Sequence, residues 1–400
     1  MTISTEPLIY DPYAYEIHED PYPTYARMRE EAPIYRNEDR NFWALSRHGD
    51  VMGAFRDSDT FSNAQGVSID PAASGPNAHR TMSFLAMDPP QHGRMRGLVS
   101  RGFTPRRVAE MEEGIRALTV THLDVALQQG QFDFVTDLAG RVPMDVISEM
   151  VGVPHADRLE LRRLSDLLVH REEGVTDVPP SGIEAALALI VYYADLIAER
   201  RANPGTDLVS ALCEAEVEGD RLTDDEITSF LFLMVVAGNE TTTKLLAHAW
   251  YWGWQFPDQV DKAFTDASRV PDWVEETLRF DTSSQMLARV TIRPVSFYGT
   301  EIPVGDRILL LAGSANRDHR AFADPDVFDL DRNLDAGIAS FGVGRHFCMG
   351  ASLARLEARV VLEELVKRVS AYEIDPDGAS RVHSVNVRGF ATLPTQVKVR

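Results

Sequence analysis

Along most of the chain, apolar residues recur at spacings of three and four with charged residues between them, the period of an amphipathic helix. This pattern predicts helices over residues 105–128, 134–152, 156–170, 181–203 and 349–369. Alternation of the strand type is short and confined to residues 33–36, 42–46, 289–298, 307–312 and 384–399. No internal repeat, low-complexity tract or linker divides the chain. We therefore expect a mainly α fold with a small β-rich region, built as a single domain over residues 1–400.

A longer helix is predicted over residues 224–255. Thr223 followed by Glu226 has the spacing of a capping box, and Pro257 follows the end of the helical pattern. About 30 residues at 1.5 Å each make a helix of roughly 45 Å. The segment FLFLMVVA within it is apolar on every side, so this helix is expected to run buried through the middle of the protein.

Two segments lack any helical or strand period. Residues 62–86 are rich in Gly, Ser, Ala and Asn, and residues 171–181 carry a glycine and a Pro-Pro pair between two predicted helices. Irregular segments of this length in a compact protein are typically covers over a binding site or simply disordered. We expect both to be mobile.

The composition is that of a packed globular protein, with 44% hydrophobic and 25% charged residues among 400. The formal net charge of −21 argues against nucleic acid and anionic membrane surfaces as partners. No stretch approaches the roughly 20 consecutive apolar residues of a membrane span, and the N-terminus is polar and acidic, unlike a signal peptide. The two cysteines cannot form a disulfide framework. These features predict a cytoplasmic protein with no membrane anchor.

One basic segment interrupts this acidic chain. Between His92 and Val108 there is no carboxylate but there are five arginines, namely Arg94, Arg96, Arg101, Arg106 and Arg107. Such a run is most often a solvated helix face. It is also the kind of surface on which an acidic partner protein docks.

The strongest chemical signal is the segment FGVGRHFCMG, residues 341–350. Its glycines suit a tight turn that passes close to a flat ligand, and a helical pattern begins directly after it. Cys348 therefore lies at a helix N-terminus, where backbone N–H groups and the helix dipole favour a thiolate. The alternative interpretation is a buried structural cysteine in a glycine-rich turn. The other cysteine, Cys213, lies in an amphipathic stretch and is assigned no role.

This segment resembles the haem-binding loop of the cytochrome P450 superfamily, Phe-x-x-Gly-x-x-x-Cys-x-Gly, and every fixed position is matched. The resemblance implies the cytochrome P450 fold, haem b as the cofactor and Cys348 as the sulfur ligand of its iron. It also implies that Phe341 and Gly350 lie beside the haem. A thiolate ligand pushes electron density towards the iron and favours cleavage of the O–O bond.

A second motif, AGNETTT, interrupts the apolar run of the long helix. A carboxylate in the middle of a buried helix is costly unless it has a partner. The motif resembles the oxygen-binding helix of the same family, with its Ala-Gly-x-Asp/Glu-Thr signature, which puts Ala237 and Gly238 beside the haem. By the same resemblance Thr241 steadies dioxygen and an ordered water, while Glu240 relays protons from solvent. The alternative is a helix kink with a solvated glutamate.

A Glu-x-x-Arg pair stands between these two motifs. Glu276 and Arg279 match the family's pattern, with Arg332 as the third partner, and the trio is interpreted as a structural lock beneath the haem. The spacing alone is uninformative, because other glutamates and arginines of the chain share it and such pairs are normally surface salt bridges.

Four cationic or donor side chains match the positions that bind the two haem propionates in this family. His92 and Arg96 lie four residues apart on one face of a predicted helix. Arg289 begins a late strand, and His346 lies in the cysteine loop. Each residue alone is more often structural or exposed, so the assignment depends on the four occurring together.

The resemblance implies an external monooxygenase, in which a substrate R–H, dioxygen and two electrons give R–OH and water. The electrons come ultimately from NAD(P)H through a separate ferredoxin or flavodoxin-type partner with its reductase, and an acidic ferredoxin suits the arginine-rich face. The protein is expected to be a monomer. The alternatives are a peroxygenase-type haem-thiolate enzyme and a non-catalytic haem ligand carrier or sensor.

The substrate pocket is assigned by resemblance to the 62–86 loop, a 165–186 cover, the long helix, the 283–288 segment and a C-terminal turn. Its predicted lining is Phe230, Met234, Val235, Ala237, Gln285, Met286, Leu287 and Phe390. Because this lining is mainly apolar, we expect a medium-sized lipophile such as a terpenoid, a fatty or branched acid, a steroid or a polyketide. Arg388 has two interpretations, a surface arginine or an anchor for a substrate carboxylate.

Overall fold

The computed structural model describes residues 7–173, 175–217 and 219–400, with the side chains of all of these except Arg101 and Val217. Helices make up most of it. In chain order they are α1 (Tyr15–Glu19), α2 (Tyr22–Glu31), α3 (His48–Arg56), α4 (His79–Met82), α5 (Gln91–Val99), α6 (Pro105–Glu110), α7 (Glu112–Gln129), α8 (Arg141–Val151), α9 (Arg158–Val169), α10 (Pro180–Ala202), α11 (Leu208–Glu214), α12 (Asp224–Gln255), α13 (Pro257–Thr265), α14 (Val270–Phe280), α15 (Ala312–Ala315) and α16 (Ala351–Arg368).

The strands are short. They are β1 (Ile34–Asn37), β2 (Phe42–Leu45), β3 (Phe61–Ser62), β4 (Gln131–Asp133), β5 (Glu216–Val217), β6 (Asp220–Arg221), β7 (Leu287–Thr291), β8 (Val295–Phe297), β9 (Thr300–Ile302), β10 (Arg307–Leu310), β11 (Val369–Ile374), β12 (Ser380–Arg381), β13 (Phe390–Thr392) and β14 (Pro394–Val399).

The largest sheet has five strands in the order β1-β2-β10-β7-β3. Its β2 and β10 strands are parallel, with Leu309 opposite Ala44, and the other neighbours are antiparallel. A second sheet, in the order β11-β14-β4, joins the C-terminal strands to the end of α7. The remaining strands form antiparallel pairs. The first sheet joins early and late segments of the chain, and the second joins its C-terminal strands to the segment that follows α7.

Helix α12 is the axis of the fold. It begins at the predicted capping box, in which the Thr223 hydroxyl accepts from the Glu226 N–H and the Glu226 carboxylate accepts from the Thr223 N–H. It then runs for 32 residues and contacts α8, α9, α10, α14 and α16. Because neighbours surround it, apolar side chains on all its sides become buried, as the continuous apolar run predicts.

The apolar core divides along this axis. One cluster surrounds the C-terminal half of α12, where Trp250 stacks between Phe134 at 5.1 Å and Tyr372 at 3.5 Å between ring centroids. A second cluster joins Phe230 and its neighbours in the N-terminal half of α12 to α8, α9 and α10. The middle of α12, where the AGNETTT motif lies, falls between the two clusters.

The predicted elements are present, with local differences. The helix expected over 105–128 divides at Met111 into α6 and α7. The strand expected over 289–298 divides into β7 and β8, because Pro294 lacks the N–H that a continuous strand needs. The strand expected over 384–399 begins only at Phe390, since the preceding residues form a turn.

The predicted loop over residues 62–86 is only partly irregular. It contains the short helix α4 and two 3₁₀ turns, Pro71–Ala73 and Ser83–Ala86. Helix α10 is, by length and composition, long and apolar enough to cross a membrane, with a mean hydropathy of 1.5 in its most apolar window. Helices in the cores of soluble proteins meet the same criterion, and α10 packs against α9, α11 and α12.

Candidate active site

The cysteine loop is a tight turn closed by its own backbone. The Cys348 N–H donates to the Phe341 carbonyl at 2.9 Å. Gly342 and Gly344 have φ of 62° and 77°, which side chains rarely adopt. A Cβ on Gly344 would also lie 3.2 Å from the Phe55 carbonyl oxygen and the Arg56 Cα. These two glycines therefore fix the path that presents the cysteine.

The Cys348 side chain is exposed, yet burial is the largest influence on its pKa, which is raised. The two facts together put the sulfur on the wall of a recess. The backbone N–H groups of Gly350 and Ala351 and the guanidinium of Arg96 act in the opposite direction, because each favours the thiolate. Such a sulfur is suited to bind a metal, since metal coordination deprotonates a thiol outright and N–H donors moderate its charge.

Next to the sulfur lies a cluster of cationic and donor groups. The His92 and His346 rings are 4.1 Å apart between centroids, and Arg96 Nη2 donates to the Phe347 carbonyl at 2.6 Å. Arg289 on β7 is buried, and burial lowers its pKa to about 10. The pKa of His346 is lowered to about 3 by burial first and then by the neighbouring histidine and arginines. The cluster is short of negative charge.

Within the described part of the chain, His92 Nε2 and both ring nitrogens of His346 are buried without a hydrogen-bond partner. Buried polar atoms are normally satisfied, so these atoms point to a bound group. Asp88 is the carboxylate nearest Arg289, and its oxygens already accept from Ser62 and Asn63. A ligand with anionic oxygens, as the haem propionates are, fits this donor set.

Helix α12 presents a narrow accessible strip in an otherwise buried stretch. Ala237 is exposed and Thr241, one turn later, is half-buried, whereas Asn239, Glu240 and Thr242 are buried. The Thr241 hydroxyl donates to the Ala237 carbonyl at 2.6 Å. Thr241 and Ala237 therefore share one accessible face of the helix.

Glu240 is 1% exposed, which makes the alternative of a solvated glutamate wrong. Its carboxylate lies 3.2 Å from the Lys244 ammonium and accepts from the Asn239 amide at 3.3 Å. Asp166 on α9 also influences the pKa of Glu240. Burial alone would raise the pKa of Glu240, but Lys244 and Asp166 together lower it.

Asp166 is the residue that the sequence analysis missed. Its helix was predicted, but its carboxyl looked like one charge among several on an amphipathic surface. Lys244, by contrast, had a signal, because it lies four residues after Glu240 on the same helix.

Gly238, next to Ala237, is half-buried. A Cβ there would be 2.5 Å from Ile147 Cδ1 on α8, so this glycine allows α8 and α12 to pack closely. The expectation that Gly238 lies beside the haem stays a prediction.

The structure brings Glu276, Arg279 and Arg332 together. Glu276 Oε1 accepts from Arg279 Nη2 at 2.7 Å and from Arg332 Nε at 3.1 Å. Arg279 also donates to the Asn316 carbonyl at 3.0 Å, and the Asn316 side chain bonds to the Ala339 N–H and the Ser340 hydroxyl. The trio thus anchors the segment that leads directly into the cysteine loop.

The predicted pocket residues have different surroundings. Phe230, Met234 and Val235 lie in the apolar cluster that also contains Phe84 and α9. Gln285 donates to the Thr282 carbonyl, Met286 is fully buried among the N-terminal tyrosines, and Leu287 on β7 packs against the apolar cluster of the five-stranded sheet. Phe390 packs on Tyr251 at 4.7 Å between ring centroids, beyond the AGNETTT motif along α12.

Arg388 is buried, so the interpretation as a surface arginine is wrong. Its Nε donates to Asp281 Oδ1 at 2.9 Å, and its Nη1 donates to the His18 carbonyl. Asp281 also accepts from Tyr22 and Trp252. Arg388 therefore joins the C-terminal turn to the N-terminal segment, and its guanidinium is engaged by protein groups.

The arginine-rich segment does not form one uniform surface. Arg94 is paired with Asp220 and Glu226, each at 2.5 Å, and Arg96 belongs to the cluster beside the cysteine. Arg106 is exposed and paired with Glu110 one turn later. Arg107 is exposed and makes no ion pair among the described residues, while the Arg101 side chain lies outside them. Folding has divided the predicted patch, because two carboxylates offset Arg94 and the half-buried Arg96 lies beside the cysteine.

Comparison with known proteins agrees with these motifs. The family model described as Cytochrome P450 matches residues 261–399. Over 393 residues, 98% of both chains, the sequence is 58% identical to a Mycobacterium tuberculosis protein named "Putative cytochrome P450 123". The structure of CYP109Q5 from Chondromyces apiculatus is similar, with a TM-score of 0.88, 35% identity and 98% of each chain covered. That of CYP109E1 from Bacillus megaterium in complex with corticosterone has a TM-score of 0.84 at 31% identity and covers 95% of this chain and 99% of that one.

Proposed function

The chain belongs to the cytochrome P450 family, and on this premise we propose that it is a haem-thiolate monooxygenase acting on a medium-sized lipophilic substrate. The observation that carries the proposal is the adjacency, on one helix, of the accessible Thr241 and the buried Glu240. An acid and a hydroxyl placed in this way serve a reaction that consumes protons, whereas a protein that only carries haem has no need of them. The overall reaction converts R–H, dioxygen, two electrons and two protons into R–OH and water.

In this proposal Cys348 is the protein ligand of the haem iron, with Phe341 and Gly350 beside it. His92, Arg96, Arg289 and His346 hold the propionates. The assignment is supported by a sulfur whose thiolate form the backbone N–H groups of Gly350 and Ala351 favour, and by buried imidazole nitrogens without a hydrogen-bond partner in the described chain. When bound, haem supplies the iron centre at which dioxygen is activated.

In the proposed reaction, two side chains of the central helix position a water and supply protons. Because the Thr241 hydroxyl gives its own proton to the Ala237 carbonyl, its oxygen is left to accept a hydrogen bond from a water and so to fix that water's position. When this water gives up a proton, Glu240 supplies the proton that replaces it. The N–H groups of Gly350 and Ala351 draw negative charge from the sulfur and so moderate the ligand.

Electrons are proposed to come from NAD(P)H through a separate ferredoxin or flavodoxin-type partner with its reductase. Arg107 and Arg345 are exposed, and Arg345 lies in the cysteine loop itself. A small acidic protein docking there would approach the sulfur side of the site, and opposite charges would speed its association. The protein is proposed to be a cytoplasmic monomer.

The proposed substrate class follows from the apolar lining. Phe230, Met234 and Val235 belong to a buried apolar cluster close to Ala237, and apolar surroundings of this kind bind lipophiles by excluding water. The relative CYP109E1 is described in complex with corticosterone, a compound of the size proposed here. A terpenoid, a steroid, a polyketide or a fatty acid all remain within this class.

The test is a visible absorption titration of the ferric haem-loaded protein against a panel of these lipophiles. We expect at least one to convert the low-spin spectrum to high-spin saturably, and then to support NAD(P)H-coupled oxygen use with a surrogate ferredoxin pair. A purified protein that holds no thiolate-ligated haem would overturn the proposal. Peroxide-supported turnover above electron-supported turnover would favour the peroxygenase, and binding without oxygen use would favour the carrier.

A further inference from the structure

Two separate parts of the chain border α12 on the N-terminal side of its AGNETTT motif. In the 62–86 segment, Phe84 packs on Phe230 of α12 at 6.2 Å between ring centroids. On α9, the Ser165 hydroxyl donates to the Val235 carbonyl of α12 at 3.4 Å. The 62–86 segment and α9 are therefore two walls beside the stretch of α12 that leads to the motif.

The C-terminal turn, residues 382–389 between β12 and β13, borders the same helix at the motif itself. The Arg388 N–H donates to the Ser283 carbonyl at 2.8 Å, and the Ser283 hydroxyl donates to the Thr241 carbonyl at 2.8 Å. This turn is the third wall.

The three walls are not joined with equal strength. Arg171, two residues after α9, forms a buried ion pair with Asp70 of the 62–86 segment at 2.6 Å. The C-terminal turn is joined to Arg171 by a neutral backbone bond, in which the Arg171 N–H donates to the His383 carbonyl at 2.7 Å. Breaking a buried charged pair costs far more than breaking a neutral hydrogen bond. The boundary between the Asp70–Arg171 pair and the C-terminal turn, called the seam below, is therefore where the walls part most easily.

Residues 11–18 of the N-terminal segment cross this seam and form a strap over it. Tyr15 contacts both sides. Its hydroxyl donates to the Arg171 carbonyl at 3.3 Å, and its ring stacks on the His383 ring at 3.6 Å between centroids with the planes 5° apart. One side chain of the strap thus bridges the seam.

The two ends of the strap are attached on opposite sides of the seam. The Tyr13 hydroxyl donates to Asp70 Oδ1 at 3.1 Å, whereas the His18 carbonyl accepts from Arg388 Nη1. His18 Nε2 lies 2.8 Å from the Pro12 carbonyl, which closes the strap on itself. Both tyrosine side chains of the strap are half-buried, so water can replace their hydrogen bonds when the strap lifts.

We propose that this N-terminal strap is the gate through which the lipophilic substrate passes, with Tyr13 and Tyr15 as its releasable contacts. The inference rests on the proposed function, because it takes the accessible strip at Ala237 and Thr241 as the place that the substrate must reach. Opening of a lid often limits how fast ligands exchange. Since entry and exit share this one step, loosening the strap accelerates both and leaves the affinity unchanged.

The experiment measures ligand exchange in the haem-loaded protein without turnover. The probes are imidazole and phenylimidazole, which ligate ferric haem through the same kind of nitrogen and differ by one phenyl ring. Stopped-flow absorbance at several azole concentrations gives the association and dissociation rate constants, and equilibrium titration gives Kd. The small azole needs less opening than the large one, so the comparison separates a gate from a general loosening of the site.

Three variants alter the strap. Tyr15→Leu removes the hydroxyl and the stacked ring, Tyr15→Phe removes the hydroxyl alone, and Tyr13→Phe removes the bond to Asp70. Tyr298→Phe is the matched control, because the Tyr298 hydroxyl donates to Asp50 at 2.5 Å in the exposed turn between β8 and β9. The two phenylalanine variants keep the packing of the strap and remain informative where Tyr15→Leu fails to fold.

We expect Tyr15→Phe and Tyr13→Phe each to raise both rate constants of phenylimidazole about two- to tenfold, the factor that corresponds to one hydrogen bond. Tyr15→Leu should exceed Tyr15→Phe. Kd should not change, and both imidazole exchange and Tyr298→Phe should match wild type. A weaker Kd with faster dissociation alone would show that the tyrosines stabilise the bound state and would overturn the inference. Equal acceleration of imidazole, or wild-type rates in every strap variant, would overturn it as well.

Failure of the proposed function has a different signature. Azole binding needs haem but no catalysis, so a haem protein without substrate-dependent oxygen use would still show the dependence of exchange on the strap. Protein in which wild type and variants alike give no azole spectrum would overturn the proposed function and this inference with it.

Discussion

Asp70 and Arg171 form a buried ion pair, with Arg171 Nη2 2.6 Å from Asp70 Oδ2, between positions 101 apart in the sequence. Asp70 lies in the 62–86 segment and Arg171 begins the 171–181 segment, the two stretches predicted to be mobile. The ion pair therefore connects these two segments. Asp70 also accepts from Tyr13 at 3.1 Å and Ser68 at 2.9 Å, which draws the N-terminal segment into the same junction.

Replacing Arg171 by Met is therefore expected to loosen this junction. Removing one partner of a buried pair leaves an uncompensated charge, which typically costs about 3–5 kcal/mol. We expect a lower free energy of unfolding in urea and faster substrate release by stopped flow. The double variant Asp70→Asn/Arg171→Met should recover part of the stability, and additive losses would contradict the pairing.

Gly389 should not tolerate a side chain. An alanine Cβ would come within 2.5 Å of the Lys244 stem close to its backbone, where it cannot swing away. We expect Gly389→Ala to destabilise the protein by about 1–3 kcal/mol, typical of overpacking, and to uncouple oxygen use by displacing Lys244 from Glu240. Gly114→Ala on α7, with nothing within 4 Å of its Cβ, is the matched control and should not destabilise. Equal stability of both variants would contradict this.

The Glu276–Arg279 pair can be compared with one of identical residues and spacing on the surface. Glu276→Gln should destabilise the protein by several kcal/mol, because Arg279 stays buried without its counter-charge. Glu160→Gln removes the same kind of partner from Arg163, where both side chains are 58% exposed, and should change nothing measurable. Denaturant unfolding and haem retention are the measurements. Similar losses in the two variants would show that burial does not govern this interaction.

His248 predicts a pH dependence of stability. The pKa of His248 is lowered to about 3, chiefly by burial; Asp281 acts to raise it, whereas Arg381 and Arg388 act to lower it. An unfolded histidine titrates near about 6.5. When the pH lies between these two pKa values, unfolding is therefore accompanied by the uptake of a proton. The contribution of His248 to stability is complete above about pH 6.5 and falls as the pH drops, by at most about 1.4 kcal/mol per pH unit.

The measurement for His248 is urea unfolding between pH 7 and pH 5. His248→Gln should show a flatter dependence than wild type over this window. His155→Gln, in an exposed 3₁₀ turn, controls for the loss of a histidine as such. Parallel slopes for wild type and His248→Gln would show that another group binds the proton.

Charge reversal on the arginine-rich segment tests electron delivery. Arg107→Glu should slow reduction by an acidic ferredoxin several-fold at low salt, and the difference should shrink near 0.15 M salt, where the screening length is about 8 Å. Arg106→Glu should have a smaller effect, because Glu110 already offsets Arg106. Arg293→Glu, in the exposed turn after β7, is the control. Stopped-flow reduction at equal rates in all three variants would exclude docking at this segment.

Local patterns in the sequence were sufficient for the elements and for the two main motifs. The cap at Thr223 and the all-round apolar run predicted α12, because both signals lie within a few residues of the structure that they specify. The glycines and cysteine of residues 341–350 likewise act within one turn of chain. The ion pair between Glu276 and Arg279 is also local, because the two residues lie three apart on one helix. The sequence could not distinguish this buried pair from surface pairs of the same spacing.

The tertiary structure decided which side chains meet across the protein. Asp166 reaches Glu240, Arg388 reaches Asp281, and Gly238 faces α8 only because helices distant in sequence pack at particular angles. The period of a helix shows that one face is buried but not which neighbour covers it or which polar group that neighbour brings. Burial then changes the chemistry, since Glu240, which the motif alone could leave solvated, is enclosed in the structure beside the Lys244 ammonium.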